Sequence, residues 1–211
     1  EGFSVDVKNA ITPLSSLWAI TVATAEERQV AGDATYSVTG FSLSPDGQWI
    51  VFSGGSPERY ERNITGAGLY GDQYLLDVAA GSVERLTENY EVGEDGASFS
   101  PDSRWIAFSG PDDMEAYSMT ESRIYVRGVG ERGGSFRKLG SDFDNSLRVA
   151  FWSPDGSTIY ANAAVKVTRQ LHSVDVRTGR VQSITSERAN LTVSKDEDTG
   201  TLLINYQDPA T

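Results

Sequence analysis

The chain of 211 residues has no cysteine and a single histidine, His172. A disulfide scaffold, a thiolate nucleophile, a Cys-ligated metal and a multi-histidine zinc site are therefore all excluded. No apolar run approaches the roughly 18 residues of a membrane-spanning helix, so no membrane span is expected. Bases are few: 18 Lys and Arg stand against 30 Asp and Glu, a formal net charge of −12. That balance gives no general pull toward nucleic acid or an anionic membrane. What remains for chemistry is carboxylates, arginines, hydroxyls and backbone, and no metal or other cofactor is expected. With 38% hydrophobic and 23% charged residues the composition is that of a folded chain. The first residue is Glu1 and no signal-peptide pattern follows, which reads as a processed, trimmed or partial chain.

The sequence repeats itself. Ser44-Pro45-Asp46-Gly47 recurs as Ser100-Pro101-Asp102-Ser103 and Ser153-Pro154-Asp155-Gly156, with a worn copy at Ser194-Lys195-Asp196. Apolar residues alternate before each turn: Phe41 and Leu43, Ala97 and Phe99, Ala150 and Trp152, Leu191 and Val193. A second apolar run follows each turn, as in Trp49-Ile50-Val51-Phe52 and Trp105-Ile106-Ala107-Phe108. This period-2 pattern around a Pro- and Asp-bearing tight turn predicts a β-hairpin. A further hairpin follows in each unit, Tyr74–Val78 to Val83–Thr87 and Leu171–Val176 to Val181–Thr185, each with an Asp four residues before a Gly. Ile124–Val126 to Phe136–Leu139 is the same hairpin with a longer turn, and Leu17–Ile20 to Arg28–Val30 is an earlier copy.

Four antiparallel strands per unit define a β-propeller blade. The expected architecture is all-β, with three complete blades at 34–87, 90–139 and 147–185. Half-blades flank them at 15–31 (strands three and four) and 189–206 (strands one and two), so that 1–211 forms one partial propeller domain. Two arrangements are open. The ends could zip into one sheet and close a four-bladed ring. Alternatively the chain is an open arc from a seven- or eight-bladed ring, which the bulky Phe41, Leu43, Phe99, Phe151 and Trp152 on the inner strands favour. The turn position filled by Gly47, Gly156 and Ser103 is expected not to need a positive φ, because serine occupies it once. Repeated placement of Trp49 and Trp105 predicts packing between blades.

The Ser-Pro-Asp-Gly turn followed by Leu75-Leu76-Asp77-Val78 and, beyond Gly81, Leu86-Thr87 resembles the TolB-type propeller repeat. The same repeat builds the N-terminal propeller of the prolyl oligopeptidase family of serine peptidases, which includes dipeptidyl and acylaminoacyl peptidases. The resemblance covers nearly the whole chain. The long insertion at Ser56–Arg62 tilts the reading toward the peptidases. So does the final segment Asn205–Thr211, which is similar to one found late in such propellers. That resemblance implies a C-terminal α/β-hydrolase domain or chain as partner, a peptide as substrate, and a propeller that acts as gate and filter. The family's Gly-x-Ser-x-Gly nucleophile elbow is absent here, and one histidine allows no triad, so no catalytic residue is assigned. The alternative is a non-catalytic TolB-like propeller that binds proteins. A periplasmic or extracellular setting is favoured over a cytoplasmic one.

In a blade, the connections from strand two to three and from blade to blade share one face. Here these are 54–72, 87–96, 110–123 and 140–148, long and acidic. Segment 87–96 holds four acids and no base. The candidate substrate contacts lie on this face: Glu58, Arg59, Tyr60, Glu61 and Arg62, which could clamp a peptide amine and a carbonyl, and Asp112, Asp113 and Glu115. Solvated loops and a surface salt-bridge cluster are the plainer readings of the same residues. Asp196–Gly200 has a faint calcium-loop look but reads better as an elongated hairpin turn, and His172 reads as a structural or surface imidazole.

Overall fold

The computed structural model describes residues 14–55, 71–88, 94, 96–113, 120–196 and 199–208. Those residues form sixteen strands and no helix. β1 (Leu17–Thr21) and β2 (Glu26–Ala31) make a two-stranded sheet. Blade one follows with β3 (Ser37–Leu43), β4 (Trp49–Gly55), β5 (Gly71–Asp77) and β6 (Ser82–Arg85). Blade two has β7 (Ser98–Phe99), β8 (Trp105–Pro111), β9 (Ser122–Gly128) and β10 (Arg137–Leu139). Blade three has β11 (Leu147–Trp152), β12 (Thr158–Val165), β13 (Thr168–Asp175) and β14 (Val181–Ser183). β15 (Asn190–Lys195) and β16 (Leu202–Gln207) close the series as a second two-stranded sheet. All pairs are antiparallel between sequential strands, the meander of a propeller blade. The two terminal hairpins are separate sheets, so the ends are not zipped together and the arc is open.

Strand alternation buries both faces of each blade. In blade one, Val51 and Leu75 face blade two and join Phe99, Ile106 and Val129 in one core. Their neighbours Phe52, Tyr74 and Leu76 face the other way, onto Leu17 and Ala31 of the first half-blade. The core between blades two and three holds Ala107, Ile124, Val126, Trp152, Ile159, Ala161 and Val174. Trp49 and Trp105 occupy equivalent inter-blade positions, each partly buried against the core facing the next blade.

The registers make blade positions directly comparable. Trp49 pairs Asp77, Trp105 pairs Gly128 and Thr158 pairs Asp175. It follows that Leu76, Arg127 and Val174 share one position. Arg127 is thus a fully buried arginine where the other blades carry an aliphatic side chain. Its Nη1 donates to Glu84 of blade one at 2.9 Å and its guanidinium carbon lies 5.4 Å from the Phe136 ring centroid. Gly133 N–H donates to the same Glu84 oxygen at 2.9 Å, and these donors hold the Glu84 carboxyl below its ordinary range against the opposing effect of burial.

Tyr74, Tyr125 and His172 share another position. Each tyrosine stacks on the phenylalanine opposite, Phe52 at 5.2 Å and Phe108 at 5.3 Å between centroids. Blade three has Ala161 opposite instead, and Phe143 from the preceding connection supplies a ring 5.0 Å from His172. His172 is therefore a buried core residue, and burial pulls its pKa down.

Each Ser-Pro-Asp turn is built alike. The serine hydroxyl donates to the aspartate at 2.6 Å in all three copies and accepts the N–H of Trp49, Trp105 or Thr158. The fourth residue lies at positive φ in every copy: Gly47 at 72°, Ser103 at 59° and Gly156 at 68°. The expectation that this position tolerates ordinary φ because serine fills it once is wrong. Ser103 adopts the left-handed conformation, and its hydroxyl accepts the N–H of Asp46 in blade one at 3.1 Å. That inter-blade bond accompanies a serine where glycine has the easier backbone.

Candidate functional site

Of the sequence-derived candidates, Glu58, Arg59, Tyr60, Glu61, Arg62 and Glu115 lie outside the described residues. Asp112 and Asp113 are described, directly after β8. Asp112 is held within its own blade. Its Oδ1 is 2.9 Å from Lys138 Nζ and 3.4 Å from Arg123 Nε. Its N–H donates to Glu121 O, and its own carbonyl accepts from Lys138 at 3.0 Å. Asp112 also lies near Tyr125, whose hydroxyl donates to Pro111 O. Burial first, then the Asp112 charge, pushes that phenol up to about 12.

Around this pair the structure reveals a recurring element that the sequence does not announce. The residue near the start of each third strand is buried and polar, and it differs in every blade: Asp72, Arg123 and Gln170. Asp72 Oδ2 accepts two bonds from Arg85, at 2.9 and 2.5 Å. Thr87 Oγ1 accepts Gln73 N–H at 2.9 Å and reaches Glu94 at 2.9 Å and Asp72 at 3.4 Å. Arg123 Nη1 donates to Asn145 O at 3.0 Å, and Ser122 N–H donates to Ser146 Oγ at 3.0 Å. Gln170 Nε2 donates to Glu187 O at 2.7 Å and Ala189 O at 2.9 Å, while its Oε1 accepts from Thr185 at 2.8 Å.

All three side chains do one job: they tie strand three to the chain that crosses to the next blade. A repeated apolar pattern cannot signal such a position, because its chemistry changes from anion to cation to amide. The signal available in the sequence is a polar residue two places before the aromatic position of strand three.

Several carboxylates of this acidic face are engaged internally. Arg85 serves Asp72 and, at 3.3 Å, Glu88. Arg123 and Lys138 serve Asp112, and Ser146 donates to Glu121. Blade three departs from its neighbours. β12 and β13 are joined through Lys166 and Val167 alone, with Lys166 at φ 57°, where blades one and two carry connections of many residues. Asp196 belongs to a turn: its Oδ1 accepts Thr199 N–H and Oγ1, both at 2.7 Å, and its carbonyl accepts Gly200 N–H at 2.8 Å. Asp175, Thr178 and Gly179 repeat that geometry.

No family model matches the chain. In sequence it is similar to dipeptidyl-peptidase 5 of Porphyromonas gingivalis, with 25% identity over 152 residues, 70% of this chain and 21% of that protein. It is also similar to a probable dipeptidyl-peptidase 5 of Aspergillus clavatus, with 23% identity over 181 residues, 82% of this chain and 23% of that protein. The chain thus spans about a fifth of the length of the curated relatives it matches. In structure it is similar to an oligogalacturonate lyase from Vibrio parahaemolyticus, at TM-score 0.66 and 14% identity, over 87% of this chain and 51% of that one. A puromycin-hydrolyzing peptidase of Mycobacterium tuberculosis aligns at TM-score 0.62 and 14% identity, over 92% of this chain and 32% of that one. TolB from Acinetobacter baumannii aligns at TM-score 0.53 and 18% identity, over 91% and 49%. The repeat is therefore that of a TolB-like β-propeller, and in sequence it resembles the propeller of prolyl oligopeptidase-family peptidases of the dipeptidyl-peptidase 5 type.

Proposed function

We propose that this chain is the propeller region of a prolyl oligopeptidase-family serine peptidase, and that it gates and filters peptides for a separate α/β-hydrolase domain. The observation that carries the reading is the similarity to dipeptidyl-peptidase 5 over most of the chain. The acid-rich connections of the second face are the substrate side. Glu58, Glu61, Asp113 and Glu115 attract the amino end of a peptide, and Arg59, Tyr60 and Arg62 engage its backbone. Asp112 acts at one remove: its ion pairs with Arg123 and Lys138 support the base of the connection that bears Asp113 and Glu115.

The test is binding without turnover. A fluorescent peptide with a free amino terminus should bind the purified chain more tightly than its acetylated twin. Glu58→Gln with Glu61→Gln should erase that preference, while a serine-reactive fluorophosphonate leaves the chain unlabelled. Equal affinity for both peptides would overturn the substrate-side assignment. The likeness to TolB favours a second reading, a non-catalytic propeller that docks proteins. In that case neither peptide binds measurably.

A further inference from the structure

The two junctions between complete blades are built differently. Where blade two meets blade one, the long turn between β9 and β10 reaches back across the gap. Gly133 N–H donates to Glu84 at 2.9 Å, and Arg132 Nη2 lies 3.4 Å from both Asp77 Oδ2 and Ser82 Oγ. Where blade three meets blade two, the turn between β13 and β14 is short and folds on itself. Asp175 Oδ1 accepts the Thr178 N–H at 2.6 Å and the Thr178 hydroxyl at 2.7 Å. That turn touches blade two through Gly140 N–H, which donates to Gly179 O at 3.2 Å, and through Arg137, which donates to Val176 O. Space remains beside these contacts.

That space is an open cavity of about 330 Å³, at the small end of the range for ligand pockets. Phe143 and Val181 form its apolar side, both half-buried. Gly140 brings the turn that carries Phe143 close to the blade: its φ is 73°, and a Cβ there would stand 2.4 Å from Leu147 Cδ1. Phe143 N–H closes the turn by donating to Gly140 O at 3.1 Å. Lys138 and Thr178 also line the cavity, but Lys138 is paired with Asp112 and the Thr178 hydroxyl with Asp175. Among the described residues, three polar side chains of the lining stay uncommitted: Ser141, Asp142 and Arg180. Asp142 and Arg180 are exposed and opposite in charge, and they line one cavity without forming an ion pair across it.

We propose that this cavity binds a free dipeptide bearing an apolar side chain. The ligand carboxylate pairs with Arg180, its ammonium with Asp142, and its side chain lies on Phe143 and Val181. Opposite charges held apart across a cavity match a molecule with opposite charges at its two ends. One peptide unit sets those ends apart, since successive Cα atoms are about 3.8 Å from each other. A simple anion would satisfy Arg180 but meet the Asp142 carboxylate, and a simple cation would meet the reverse conflict. Hydrogen bonds to charged groups are the stronger kind, and two of them at opposite ends fix the ligand's direction. The Ser141 hydroxyl is a third polar contact. The inference is independent of the peptidase reading: both walls belong to complete blades, and neither Asp112 nor Asp113 lines the cavity.

His172 serves as a built-in reporter. It is the single histidine, it is buried, and its ring lies 5.0 Å from that of Phe143. Alanyl-phenylalanine is titrated into the purified chain and followed by the His172 ring-proton signals in NMR and by calorimetry. A saturable shift with a Kd of about 1 mM or tighter is expected. The N-acetylated dipeptide and the dipeptide amide each lack one charge and should bind about tenfold more weakly. Asp142→Asn should abolish the preference over the acetylated form, and Arg180→Gln the preference over the amide. Both side chains are exposed, so the circular dichroism of each variant should be unchanged. Equal affinity for the three ligands, no binding in this range, or heat without a His172 shift would overturn the proposal. A folded variant that keeps both preferences would overturn it as well. Displacement of the dipeptide by equimolar inorganic phosphate would replace it with a plain anion site.

Discussion

The two ends of the three complete blades are maintained in different ways. At one end the Ser-Pro-Asp turns repeat residue for residue, with the same 2.6 Å serine-to-aspartate bond and the same left-handed fourth residue. At the other end Asp72, Arg123 and Gln170 keep one position and one task while exchanging charge. The first end conserves chemistry because the turn geometry demands it. The second conserves only the need for a buried side chain that can reach the chain crossing to the next blade. A blade can therefore change the charge of its second face without disturbing its first.

The largest effect is expected from breaking a buried tie. Arg123→Ala leaves Asp112 with Lys138 alone and frees the Asn145 carbonyl, and should cost about 3 kcal/mol in chemical denaturation. Arg123→Gln imports the solution used in blade three and should recover about half of that loss. If the glutamine variant is as unstable as the alanine one, the three positions are not equivalent. Next comes the invariant end. Ser100→Ala removes the acceptor for Trp105 N–H and the donor to Asp102, and should cost about 1–2 kcal/mol, with Ser153→Ala close to it. Losses differing by several kcal/mol would show that the turns are alike in geometry only. Gly47→Ala should cost about 1 kcal/mol for the left-handed φ alone, since its Cβ meets open space.

The pH dependence separates the two ends further. Hydrogen bonds from the Ser153 hydroxyl and from Ser157 hold the Asp155 carboxyl down at about 2, and those from Ser44 and Gln48 hold Asp46 below its ordinary value. A depressed carboxyl stabilises the fold above its unfolded pKa near 3.9, and the contribution is lost as pH falls toward the folded pKa. The turn contribution should therefore fade between about pH 4 and 2. His172 acts earlier and in the same sense: buried as the neutral imidazole, it favours the fold above about pH 6.5 and opposes it as the pH drops. Thermal melts of Asp155→Asn and His172→Phe should each lose one part of this profile, Asp155→Asn the lower and His172→Phe the upper. A flat profile in the native chain between pH 7 and 5 would contradict the buried imidazole.

Strand order and blade count were legible in the sequence because period-2 apolar runs and Ser-Pro-Asp turns are local signals. The φ at Ser103 was not legible, since a serine at a glycine position suggests that no positive φ is needed, whereas Ser103 adopts one and its hydroxyl accepts an inter-blade bond. The Asp72, Arg123 and Gln170 position was invisible for the opposite reason. Its identity varies, and its partners, Asn145 or Ala189, lie some twenty residues away. The acidic loops were legible as charge. Their internal pairing through Arg85, Arg123 and Lys138 depends on which strands lie side by side.

Arg127 has a further consequence for assembly of the chain. Repeated units of similar sequence invite the wrong neighbour during folding, because any apolar blade face can cover any other. An arginine buried where its counterparts are Leu76 and Val174 needs a carboxylate from the sheet packed against it, and Glu84 of blade one meets it at 2.9 Å. Blade two is thereby addressed to blade one and to no other described blade. In a chain made of near copies, that ion pair distinguishes the contact between blades one and two from the others.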